Sequence, residues 1–171
     1  MVILTEGFTN PHTAKTASSV IRYGNDEVVA LLDSTCAGET TQSLLGVGGG
    51  IPVVSTLDEA PLAEILLLGI APPGGSIPAS WRTVILEAIS RGMDVTAGLH
   101  DFLSDDDEFV TCAATHGVTL TDVRKNDERD IARLLRLLFF FLLFLSFFLL
   151  FIVLLLLPSF HFSIFLQIFM T

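Results

Sequence analysis

At 171 residues the chain is long enough for one ordinary domain and an appendage, and 51% of it is hydrophobic, with a mean hydropathy of +0.66. All 19 acidic and all nine basic residues lie at or before Arg136, and up to Asp130 seven basic residues face the 19 acidic ones, a formal charge of −12. That sign repels polyphosphate backbones and excludes nucleic acid as a partner, while two cysteines and a start that runs straight from Met1 into a strand-like segment point to free thiols in a reducing compartment.

Val2 to Leu4 is an apolar run that predicts the first strand. After the polar loop TEGFT, Asn10-Pro11 sets an N-cap type residue before a proline at a first helical position, so a helix is expected to start there. Ala14, Ala17, Val20 and Ile21 follow at helical spacing and Gly24 stops the segment. Glu27 to Leu32 reads as a buried strand closed by Asp33, and Gly38 to Leu45 as a short helix closed by Gly46. The glycines at 48, 49 and 50 lead into a strand over Ile51 to Val54; phosphate-cradling glycines follow a strand and open a helix, so this run is not read as a phosphate loop.

Thr56-Leu57-Asp58-Glu59 has the form of a capping box and predicts another short helix. Ile65 to Ala71 is almost continuously apolar, as a strand covered on both faces would be. The loop Pro72-Pro73-Gly74-Gly75 then precedes an amphipathic helix with Trp81, Val84, Ile85, Ala88 and Ile89 on one face and Gly92 at its end. Met93 to Ala97 reads as the fifth strand, Ser104 to Asp107 as the cap of a helix running to His116, and Val118 to Val123 as the sixth strand. Six short strands alternating with five helices predict an α/β fold, a Rossmann-like doubly wound parallel sheet, over residues 1–130.

In such sheets ligands sit beyond the carboxyl ends of the strands. The loops expected there are Thr5 to Thr13 after strand one, Asp33 to Thr35 after strand two, Ala71 to Gly75 after strand four and Gly98 to Asp101 after strand five, with Thr9, Asn10, His12, Asp33, Ser34, Gly74, His100 and Asp101 expected around one cleft at that edge. Thr9, Asn10, Asp33, Ser34, Gly74 and Asp101 are the candidate ligand-binding residues. His100 and His12 are the candidate proton-transfer groups, because imidazole titrates near neutral pH. Asp33 stands where nucleotide-binding domains keep an acid for a ribose hydroxyl, but the loop before it lacks G-x-G-x-x-G, and a turn or cap role is the other reading. Cys36 reads as a small filler or a reactive thiol, with no base beside it in sequence. The run Asp105 to Glu108 reads as a solvated helix start; no metal and no cofactor is assigned.

The stretches LTEGFTNPHTAKTA, VVALLDSTCAGETTQSLLGVGGGIPVV, LLLGIAPPGG and DVTAGLHDFLSDDDE together resemble the N-terminal Rossmann-like domain of the D-glutamate N-acetyltransferase-like family, a former domain-of-unknown-function family. The resemblance covers about Met1 to Asp130. It implies a second, C-terminal P-loop domain that supplies the phosphate site for a nucleotide or acyl donor, and the Leu/Phe-rich sequence after Ala132 is not expected to form one. The expected function is therefore the N-terminal part of such a protein, inactive alone, with a small molecule as its partner. The alternative is a membrane-tethered ligand-binding or interaction module.

After Ala132 the chain turns abruptly to Leu and Phe. Leu137 to Leu157 is 21 residues with Ser146 as its one polar side chain, enough for a helix across a membrane core of about 30 Å. Basic residues 124–136 precede it and none follows, so a single-pass membrane protein with a cytoplasmic N-terminal domain is expected. The organisation expected is a basic juxtamembrane linker at 131–136, a transmembrane helix at 137–157 and an apolar tail at 158–171. A truncated or misread gene is the other account of the switch and would leave a cytoplasmic domain. The apolar surface must find lipid, detergent or another copy of the chain, so membrane and oligomer both stand as expected partners.

Overall fold

The computed structural model describes residues 1–24, 26–125 and 138–149. Residues 1–125 form one compact unit and 126–171 a second. In the first unit six strands, β1 (Val2–Leu4), β2 (Ala30–Leu32), β3 (Val53–Val54), β4 (Ile65–Leu68), β5 (Asp94–Ala97) and β6 (Leu120–Asp122), make one sheet in the order β3-β2-β1-β4-β5-β6. Every neighbouring pair is parallel. The chain lays β2 and β3 to one side of β1, then returns to lay β4, β5 and β6 on the other. In sheets of this kind ligands bind at the carboxyl ends where the strand order reverses, which here is between β1 and β4.

Parallel strands need crossovers, and the apolar content of the strands shows why both sheet faces are covered. Val2, Ile3, Leu4, Ala30, Leu31 and Leu32 are all buried. The crossovers carry four α-helices, α1 (Lys15–Tyr23), α2 (Thr41–Leu45), α3 (Ala79–Ser90) and α4 (Asp107–His116). Helix α3 buries Trp81, Ile85, Ala88 and Ile89, the spacing of one helical face. Helix α4 buries Phe109 and Ala113, is capped by the Asp106 carboxylate on the Glu108 and Phe109 N–H groups, and ends at Gly117 with φ 69°. Burial of side chains the size of Trp81 and Phe109 stabilises the fold by about 1.5–3 kcal/mol each.

At Gly69, just past β4, an added Cβ would lie 2.2 Å from Ile3 Cγ2 and 3.1 Å from Ala17 Cβ. The missing side chain lets α1 sit directly on the sheet, where the Ala17 N–H donates to the Gly69 carbonyl at 2.9 Å.

Several expectations for the elements change. Helix α1 begins at Lys15, because the Asn10 carboxamide accepts from the His12 and Thr13 N–H groups and holds residues 10–13 in a turn ahead of it. Residues 56–59 form a turn, not a helix. Glu59 there accepts from the Ser55 N–H and hydroxyl, and Pro61 disfavours helical backbone at Ala60. The second strand covers only residues 30–32 of the expected 27–32.

The larger correction concerns the tail. Among the described residues no helix is long and apolar enough to cross a membrane. The described helical stretch there, 138–149, has twelve residues. The transmembrane helix expected over 137–157, and the single-pass membrane location built on it, are not supported. Residues 131–137 and 150–171 of the expected linker, span and terminal tail lie outside the described residues.

Candidate functional site

The loops leaving β1, β2, β4 and β5 all emerge at the carboxyl edge, and hydrogen bonds tie them together in two groups. On the β2 side the centre is Asp33, whose side chain is fully buried. Its Oδ2 accepts from the Thr9 hydroxyl at 2.5 Å and the Thr9 N–H at 3.3 Å. Its Oδ1 accepts from the Thr35 N–H at 2.9 Å and the Thr35 hydroxyl at 2.6 Å. The Thr5 and Thr9 hydroxyls are 2.7 Å apart, so the whole β1 loop is tied to the end of β2. Burial alone would raise the Asp33 pKa, but the bonds from Thr35, Thr9 and the Gly7 N–H outweigh it and hold the carboxyl below its ordinary value.

One residue further, exposed Ser34 gives both its N–H, at 2.8 Å, and its hydroxyl to the Glu6 carboxylate. The Cys36 thiol is pushed up by burial and by the Asp33 charge, which disfavours the reactive-thiol reading.

On the β4 side a glycine pair sets the geometry. Gly74 and Gly75 have φ of 85° and 72°, backbone that L side chains avoid. A Cβ on Gly75 would lie 2.3 Å from His100 Cδ2, so the imidazole rests directly on that glycine. The Gly75 carbonyl accepts from the His100 N–H at 3.0 Å and the Asp101 N–H at 3.3 Å, and the Asp101 carboxylate accepts from the Ile77 N–H at 3.1 Å. An open hollow of about 380 Å³ lies here, lined by Ile77, Arg82, His100, Asp101, Phe102, Asp105 and Asp106.

The cations beside the hollow are paired within the chain. Arg82 forks onto Asp106, at 2.7 and 2.8 Å, and reaches Glu108. Lys125 bonds Asp105 and Ser104 while lying 5.3 Å from the centre of the Phe102 ring. The Arg82 guanidinium holds the Asp106 carboxyl down at about 2.

All eight residues expected at the edge are therefore on loops at the carboxyl ends, in two sets. Thr9, Asp33 and Ser34 belong to the first, with Asn10 and His12 on the exposed turn that follows. Gly74, His100 and Asp101 belong to the second. Among the described residues no hydrogen bond joins the sets. Their link is aromatic, Phe8 of the β1 loop meeting Trp81 of α3 edge to face with 6.4 Å between ring centres. The sequence places Glu6 and Gly75 on these loops without marking them out as candidates, and it gives no sign of Arg82. The TEGFT loop and the Gly-Gly pair held the first two signals, whereas the Arg82 fork depends on α4 folding beside α3. Among the described residues no group of three or more His, Cys, Asp or Glu side chains is arranged to hold a metal ion.

The Rossmann-like domain of unknown function DUF1611_N matches residues 34–126. The chain belongs to this family. The DUF1611_N match includes Ser34, Gly74, His100 and Asp101 and begins after Thr9, Asn10, His12 and Asp33. A D-glutamate N-acetyltransferase of Pseudoalteromonas sp. is 37% identical over 90 residues, covering 52% of this chain and 27% of that protein. One of Tritonibacter scottomollicae is 38% identical over 85 residues, covering 48% and 26%. The chain thus spans about a quarter of the length of these relatives. The crystal structure of a DUF1611 family protein from Anabaena variabilis superposes with a TM-score of 0.65 at 28% identity, over 74% of this chain and 37% of that one.

Proposed function

We propose that this DUF1611_N domain is the N-terminal part of a D-glutamate N-acetyltransferase-like enzyme, that it contributes a small-molecule seat at its carboxyl edge, and that it does not transfer acetyl groups alone. The seat lies beside the β1–β4 reversal. Asp33 acts there as a brace for the β1 loop, since its oxygens are already engaged by Thr9 and Thr35, Ser34 is likewise engaged by Glu6, and the groups that face a ligand are His100, Asp101, Gly74, Asn10 and His12. The observation that carries the reading is the exposed His100 imidazole, packed on Gly75 in the lining of an open hollow, where a proton-transfer group is within reach of whatever the hollow takes. The similarity to two D-glutamate N-acetyltransferases supports the enzyme class, and the share of their length that is matched supports the need for a further domain.

Trp81 is the sole tryptophan and touches Phe8 of the β1 loop, so its fluorescence reports on the carboxyl edge. Titration of the chain with D-glutamate, acetyl-CoA and a nucleoside triphosphate, followed by that signal and by calorimetry, is expected to show saturable binding of at least one of them, weakened in His100→Ala. No release of free CoA thiol is expected from acetyl-CoA plus D-glutamate. Turnover by this chain would refute the dependence on a further domain, and silence toward all three compounds would refute the seat.

A further inference from the structure

The helix at 138–149 carries six phenylalanines (139, 140, 141, 144, 147 and 148) and five leucines (138, 142, 143, 145 and 149), with Ser146 the one polar residue. Each of the eleven is 46–70% exposed. At about 150–250 Å² for a whole aromatic side chain, the set leaves on the order of 1,000 Å² of apolar surface uncovered. That exceeds the roughly 800 Å² per partner of a standard stable interface. Apolar side chains occupy every side of the helix, so a partner on one face leaves the others bare, and a helix hydrophobic all round is normally buried all round. Phe144 and Phe148 stack 6.4 Å apart at 12° and present one flat ridge.

We propose that these helices bury each other, and that the chain is a homo-oligomer held together through residues 138–149. The occupant of the apolar surface is a second copy, and further copies beyond it, because the stretch holds no Asp, Glu, Lys or Arg with which to select or orient a foreign partner. Another copy brings an equally bare surface at the same concentration. The oligomer is independent of what the carboxyl edge binds.

The test is the mass of the full chain in detergent-free buffer over a hundredfold range of concentration, by size exclusion with light scattering. A mass above the 18.5 kDa of one chain, rising with concentration to a multiple of it, is expected. Phe144→Glu with Phe148→Glu breaks the ridge and should lower the mass found at a given concentration while the far-ultraviolet dichroism of the α/β unit is unchanged. As a milder probe, Ser146→Cys with Cys36→Ser and Cys112→Ser should cross-link to a dimer on mild oxidation. A full chain that stays at 18.5 kDa throughout, glutamate variants that keep the oligomer's mass, absence of the cross-link, or flotation of single chains with phosphatidylcholine vesicles would each overturn the proposal.

Discussion

Replacement of Asp33 by asparagine keeps the shape of the side chain and changes one oxygen into a donor. Both carboxylate oxygens face a backbone N–H, that of Thr9 at 3.3 Å and that of Thr35 at 2.9 Å. The Thr9 and Thr35 hydroxyls can turn to accept from an amide, but the N–H groups cannot. Either orientation of the new carboxamide therefore sets donor against donor inside a fully buried site. An unsatisfied buried donor costs about 1–3 kcal/mol, and loss of the charge weakens the bonds that remain, so about 2–3 kcal/mol is expected. With about 2.1 cal/mol/K of unfolding entropy per residue over the α/β unit, that is roughly an 8–12 °C fall in Tm, read by Trp81 fluorescence or circular dichroism at pH 7. The effect has a pH signature. Because the folded carboxyl titrates below its unfolded value, its contribution is complete above an unfolded pKa of about 3.9 and is lost as pH falls through the folded one, so the gap between wild type and variant closes in acid. A variant within about 0.5 kcal/mol of wild type at pH 7 would show that the carboxylate does not brace the loop.

Gly75→Ala places a Cβ at φ 72° and against the His100 ring, so it should lose about 1–3 kcal/mol of stability and shift the His100 imidazole resonances in NMR spectra. Asp106→Ala removes both the cap of α4 and the Arg82 fork; about 1–2 kcal/mol is expected at pH 7 from the cap alone, by denaturant titration. With its carboxyl at about 2, the Asp106 contribution is present above an unfolded value near 3.9 and is lost as pH falls toward 2. In a Cys112→Ser background Cys36 should react slowly with an aromatic disulfide reagent at pH 8, and Asp33→Asn should quicken it by removing the charge that disfavours the thiolate.

The apolar strands were legible because parallel sheets demand runs such as ILLL, and once the strands alternated with helices the carboxyl edge followed from topology. Local signals with two uses were not. Asn10-Pro11 looks like a helix start, but its carboxamide closes a turn, and Thr56 to Glu59 has the spacing of a capping box while Glu59 pairs with Ser55. Contacts inside the site were illegible for another reason: Glu6 meets Ser34 and Gly75 meets His100 only after separate crossovers have been laid down. The tail shows the limit of a composition argument, since apolarity named a lipid-seeking segment while among the described residues no helix is long and apolar enough to cross a membrane.

The position of β1 at the reversal of strand order also bears on how the chain is made. Val2 pairs with Ala30 on one side and with Leu66 on the other, so the second edge of β1 has no partner until Leu68 has been synthesised. A nascent chain that ends before Ile65 holds β3, β2 and β1 with a fully apolar strand at its rim, the kind of edge that recruits other chains. Closing it requires the long-range pairing that folds slowest. The interval between emergence of Leu32 and of Leu68 is therefore the window in which a chaperone that covers sheet edges would most improve the yield of folded protein.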